Sequence, residues 1–187
     1  MATVDDFIAD AVRRMDKSIE ATREEFNGVR TGRASAALLD RITVDYYGTR
    51  TPLKQLSTIN VPEARLLTIQ PFDPSAIKAI EKAIQESDLG LTPNNDGQVI
   101  RIGIPQLSEE RRKEFVKLVH KMAEEARVAV RNVRRDVLNE AKRAEKDGEL
   151  TKNDIGRMQD EVQKLTDAEI KAIDEQMHRK EAEILEV

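Results

Sequence analysis

Apolar residues recur every three or four positions over two long stretches of this chain, with short alternating runs between them. In the first stretch Ile8, Val12, Met15, Ile19, Phe26 and Val29 fall near one face of a 3.6-residue period. Thr3 can cap this helix, Asp6 sits on its positive end, and Gly28 or Gly32 should end it. A second helix is predicted to open near Ser108, with Glu109 and Glu110 complementing its dipole, and to end near Gly148. Its stripe is Phe115, Leu118, Met122, Ala126, Ala129, Val133 and Val137. A third should start at Thr151-Lys152-Asn153-Asp154, a capping box with Asp in place of Glu or Gln. It carries Ile155, Met158, Val162, Leu165, Ile173, Met177 and Ile184. Each helix is apolar on one side only and needs partners, so a three-helix bundle is expected.

The middle of the chain has a different period. Arg41–Tyr47 alternates and is rich in β-branched and aromatic residues, Arg65–Gln70 is a similar run, and Val99–Ile104 is a third. Gly48 and Pro52 punctuate a turn region, and Asn94-Asn95-Asp96-Gly97 reads as a hairpin turn. Asp73-Pro74 resembles a cap followed by proline at the first helical position, after which Ile77, Ile80 and Ile84 line one helix face up to Leu89-Gly90. All six prolines lie between positions 46 and 105, and proline is excluded from helix interiors. The fold class is therefore α+β. Residues 1–30 and 105–187 should form a discontinuous bundle of long helices, and residues 31–104 an inserted small β/α/β domain.

Composition narrows the chemistry. With no cysteine, the chain has no disulfide framework, no Cys-ligated metal and no thiol nucleophile. The start, Met1-Ala2-Thr3-Val4-Asp5-Asp6, is acidic at once, unlike a signal or transit peptide, and no apolar run approaches a membrane span. A cytoplasmic protein is expected. His120 and His178 show no metal-binding spacing, and there is no P-loop, dinucleotide fingerprint or nucleophile elbow. Neither an enzyme nor a cofactor or metal is expected.

The net charge of −4 conceals one basic ridge. At 100° per residue, Arg127, Arg131 and Arg134 project within about 60° of each other and roughly 150° from the predicted core stripe. Arg135 follows directly, and Lys113, Lys117, His120 and Lys142 share the outer face, interrupted by Glu124 and Leu138. The ridge shows no acidic partner row of its own. Arginine forks grip phosphate oxygens, so a nucleic-acid backbone suits it, and overall acidity favours structured RNA over indiscriminate duplex DNA. The alternative is a solvated face whose acidic partners come from neighbouring helices. A second feature is the junction Arg30-Thr31-Gly32-Arg33, where glycine gives the first helix an exit. Thr31 and Gly32 with Ile104 and Pro105 are the expected hinge, because Gly32 is permissive and Pro105 restricts its own φ and biases Ile104 to extended geometry.

Val29-Arg30-Thr31-Gly32-Arg33-Ala34, Asp45-Tyr46-Tyr47-Gly48, Ser87-Asp88-Leu89-Gly90, Ser108-Glu109-Glu110-Arg111-Arg112, Val130-Arg131-Asn132-Val133-Arg134-Arg135 and Lys180-Glu181-Ala182-Glu183 appear in that order. With them the chain resembles the bacterial ribosome recycling factor family, essentially end to end. The resemblance implies an L-shaped molecule whose bundle is joined by a hinge to the inserted domain. It implies no catalysis by the chain, and partnership with the ribosome and the GTPase elongation factor G in splitting subunits after termination. It also implies that Arg131, Arg134 and Arg30 contact large-subunit ribosomal RNA; Arg127, Arg135 and Arg33, near them in the sequence, complete the candidate RNA-binding residues. A monomer without membrane or DNA partners is expected. An RNA-binding adaptor or chaperone, or a purely structural helical scaffold, are the rival classes.

Overall fold

The computed structural model describes residues 3–186. Met1 and Ala2, which open the acidic N-terminal run, and Val187 at the end of the predicted bundle segment lie outside the described residues. The chain begins with helix α1 (Val4–Asn27), followed by a short 3-10 turn, Ala36–Leu39. Strands β1 (Thr43–Tyr46) and β2 (Thr49–Pro52), a single turn of helix α2 (Leu53–Leu56), and strands β3 (Ser57–Glu63) and β4 (Leu66–Pro71) come next. A 3-10 turn, Pro74–Ala76, runs into α3 (Ile77–Gln85), and β5 (Pro93–Asn95) and β6 (Ile100–Gly103) precede the long helices α4 (Glu109–Lys146) and α5 (Lys152–Leu185). Two compact units result. One takes in the chain up to Val29 and from Arg112 onward, and the other is Arg30–Arg111.

Helix α4 has 38 residues, all but Glu109–Arg111 in the first unit, and α5 has 34, so each extends roughly 50–60 Å at 1.5 Å per residue. Both expected caps form as reciprocal boxes: the Thr3 hydroxyl accepts from Asp6 N–H and the Thr151 hydroxyl from Asp154 N–H, while each aspartate accepts from the cap's own N–H. Gly148, at φ +77°, turns the chain out of α4, with the Glu149 N–H donating to the Ala144 carbonyl at 2.9 Å. The α5 face is as predicted except that Thr166, not Leu165, is fully buried, its hydroxyl donating to the Val162 carbonyl at 2.7 Å.

The α4 face differs. Val119, Ala123, Ala126, Val130, Val133, Val137, Ala141 and Ala144 are buried, whereas Leu118 is exposed and Phe115 and Met122 are only partly covered. The buried face is rotated by roughly 50° from the predicted stripe, towards the arginines. Alanines contribute to the bundle core from two helices, Ala11 of α1 and Ala123, Ala126, Ala141 and Ala144 of α4. In α1 the same happens to Val12, which is exposed while Ala11 is fully buried.

The second unit holds two antiparallel sheets. β1 and β2 are joined by Tyr47 and Gly48 at φ 50° and 79°, the positive angles of a type I′ hairpin. The other sheet has the order β3-β4-β6-β5, with every neighbouring pair antiparallel. Leu67 lies opposite Ile102 and Ile69 opposite Ile100, and all four are fully buried in one cluster with Ile80 and Ile84 of α3. Burying each such side chain is worth about 1.5–3 kcal/mol, so this face fixes the register. β2, β3 and β5 were not among the predicted strands. β3 has almost no buried face and contains Pro62 where its register shifts, so it shows no alternation. The Asp96-Gly97 turn is present, but Asn94 and Asn95 belong to β5 rather than to the turn.

Candidate nucleic-acid interface

The arginines expected to bind RNA fall into both units. Arg127, Arg131, Arg134 and Arg135 share α4, and Arg30 and Arg33 lie in the second unit. The rotation of the α4 core face changes what each α4 arginine can do. It leaves Arg134 and Arg127 flanking the buried seam, while Arg131 and Arg135 remain exposed.

Arg127 is largely enclosed, its side chain 18 % exposed. Its Nε donates to Asp174 of α5 at 2.9 Å and its Nη1 to Glu124 at 2.7 Å. The hydrogen bond to Glu124, then the Asp174 carboxylate, holds the guanidinium's pKa above its ordinary value despite burial, and Arg127 likewise depresses that of Glu124. The expectation that this ridge lacks acidic partners therefore fails at Arg127. One partner is Glu124, visible in the sequence as an interruption, and the other comes from a neighbouring helix. Arg131 is 44 % exposed and reaches Glu124 only at 3.4 Å. Arg135 is 66 % exposed and stands 3.7 Å from Asp136. Arg134 donates from Nη1 to Gln163 Oε1 at 3.0 Å, a neutral acceptor that leaves its charge uncompensated.

Arg131, Arg134, Arg135 and Lys142 line one open depression of about 370 Å³ together with Leu138, Asn132 and Asn139. Four cations, two amides and no carboxylate line it. Such a surface offers forked donors to phosphate oxygens and amides to riboses or base edges. Lys142 and the asparagines were outside the candidate set. Lys142 was visible as a cation on the same ridge, but the asparagines carry no charge signal and emerge only from the helix geometry.

In the second unit Arg30 Nη2 donates to the Leu89 carbonyl at 2.8 Å. The Thr31 hydroxyl accepts from the Arg33 N–H, and Gly32 takes φ +76° with Leu107 Cγ 3.4 Å from where a Cβ would stand. The Ala34 and Ile104 N–H groups bind the Ala64 and Arg65 carbonyls at 2.7 and 2.8 Å, so both chain segments are tied to the β3–β4 turn. The two histidines, far apart in sequence, approach one carboxylate: Glu181 Oε2 is 3.1 Å from His120 Nε2 and 3.8 Å from His178 Nδ1. Among the described residues no helix is long and apolar enough to cross a membrane.

A family model described as ribosome recycling factor matches residues 22–185. A ribosome-recycling factor of Halalkalibacterium halodurans is 61% identical over 178 residues, covering 95% of this chain and 96% of the relative. One from Shouchella clausii is 58% identical over 179 residues, covering 96% and 97%. A solution structure of ribosome recycling factor is similar over 100% of both chains, with a TM-score of 0.80 at 44% identity. A recycling factor from T. thermophilus, placed with E. coli elongation factor G on the E. coli post-termination complex, covers 99% of this chain with a TM-score of 0.69.

Proposed function

Since the chain belongs to the ribosome recycling factor family, we propose that it binds the post-termination ribosome and, together with elongation factor G, separates it into subunits so that messenger and transfer RNA leave. The observation that carries this reading is similarity along nearly the whole chain to recycling factors at up to 61% identity, one such factor having been placed on the post-termination complex with elongation factor G. The work of splitting comes from GTP hydrolysed by that partner, so the chain itself acts without catalysis and in the cytoplasm. Arg131 and Arg134 anchor the bundle to large-subunit ribosomal RNA, assisted by Arg135 and Lys142 around the same depression. Arg30 and Arg33 are further RNA contacts in this reading, and Arg127 supports the ridge from behind. The segments around Thr31–Gly32 and Ile104–Pro105 are where bending would be absorbed, with the hydrogen bonds at Ala34 and Ile104 marking the small unit's side of it.

Sedimentation of post-termination ribosomes with this protein, elongation factor G and GTP tests the proposal. Free subunits are expected only when all three are present. Ribosomes that bind the protein yet stay whole would favour an RNA-binding adaptor, and no binding at all would leave a helical scaffold.

A further inference from the structure

The contact that holds Arg134 continues across α5. Gln163 accepts from Arg134 Nη1 at 3.0 Å through Oε1, and its Nε2 donates to Asp167 Oδ1 at 2.8 Å. An ionised carboxylate only accepts and a guanidinium only donates, so chemistry alone dictates which way the amide faces. Turned the other way, the amide would set its NH₂ against the arginine and its oxygen against the carboxylate. Gln163 and Asp167 are one turn apart on α5, so they lie on one helix face, where Gln163 meets Arg134 of α4.

We infer that Asp167 and Gln163 are positioning residues for the RNA grip: they fix the Arg134 guanidinium without neutralising it. The contrast within α4 supports this. Arg127 is held by two carboxylates and Arg131 approaches one. Arg134 is instead held by a neutral oxygen, and the nearest carboxylate in the chain of contacts is kept one amide away. A long flexible side chain loses rotamer freedom when it binds, and an arginine already held in place loses less. A carboxylate in the place of Gln163 would also orient Arg134, but it would compete with the phosphate for the same charge. The arrangement supplies orientation and leaves the charge free. This inference rests on the reading that Arg134 grips ribosomal RNA.

The test is a double-mutant cycle read as affinity for ribosomes at fixed salt and magnesium. Gln163→Leu should weaken binding about two- to tenfold, the range of one surface hydrogen bond. In an Arg134→Gln background the same change should have no further effect, because there is no guanidinium left to position. Asp167→Lys should also weaken binding, although it makes the protein more basic, since lysine would flip the Gln163 amide and set donor against donor. Asp167→Glu should bind like wild type. A general electrostatic role predicts the opposite sign for Asp167→Lys. If Gln163→Leu binds normally, or weakens binding equally in the Arg134→Gln background, the positioning role is wrong while the anchor stands. If Arg134→Gln alone binds like wild type, the anchor reading falls and the positioning role falls with it. Thermal midpoints within about 2 °C of wild type are expected for Gln163→Leu, and a large drop would overturn the assignment in favour of a structural role.

Discussion

Arg127 and Arg134 stand seven residues apart on one helix, yet their surroundings assign them different work. Arg127 is enclosed and bonded to two carboxylates, so Arg127→Ala should destabilise the bundle by about 1–2 kcal/mol and visibly lower its thermal midpoint. Arg134→Glu and Arg131→Glu should instead change stability by about 0.5 kcal/mol or less and act on ribosome binding. An Arg127→Ala protein that melts with wild type, by calorimetry, would show that its two ion pairs are inert. The sequence placed these arginines on one ridge but could not rank them. It weighted Phe115, Leu118 and Met122, which have large transfer energies, over Val119, Ala123 and Val130. Alanine contributes little by area and so carries a weak signal, yet Ala123, Ala126, Ala141 and Ala144 lie in the buried face of α4 beside Val119, Val130, Val133 and Val137.

The long helices were legible because their signals are local. A cap followed three residues later by a carboxylate, and an apolar face repeated over many turns, need no tertiary information. Thr151→Ala should therefore cost about 1 kcal/mol and lower the thermal midpoint by roughly 2–4 °C. The capping carboxylates Asp6 and Asp154 are held below the usual range, Asp6 chiefly by the Thr3 backbone N–H and Asp154 chiefly by the Thr151 hydroxyl. Asp96 is held lower still, first by its hydrogen bond from Arg101. Each binds its proton less readily folded than unfolded. Its contribution is thus complete above the unfolded value of about 4 and is lost as pH falls through the depressed folded value. Thermal midpoints should stay level from neutrality to about pH 5 and drop below pH 4, and a midpoint that rises on acidification would contradict this. The small strands were less legible because their signal is not local. β2, β3 and β5 lie in a Pro-rich region, and β3 and β5 pair at the two edges of one sheet. An edge strand with one covered residue in seven, like β3, carries no period to read.

For the whole molecule, fold and function were legible to different depths. Two units, long helices and an α+β class follow from where prolines, apolar periods and charges fall. Strand order does not, because antiparallel neighbours are chosen by packing on α3. A basic ridge in an acidic chain suggested RNA but not which RNA; that came from motifs resembling one family. If phosphate contact anchors the protein, the logarithm of ribosome affinity should fall linearly with the logarithm of salt concentration. The slope should shrink by about one for each of Arg131 and Arg134 removed, at constant magnesium. A flat salt response would point to an apolar contact instead.

The most direct test of anchored recycling is light scattering of post-termination ribosomes mixed with elongation factor G, GTP and this protein. Wild type should produce a fall in scattering as subunits separate, absent when the protein is omitted or GTP is replaced by a non-hydrolysable analogue. The Arg131→Glu, Arg134→Glu protein, shown by circular dichroism to be folded, should give little or no fall at the concentration where wild type saturates. Splitting by that variant at the wild-type rate and concentration would contradict the account.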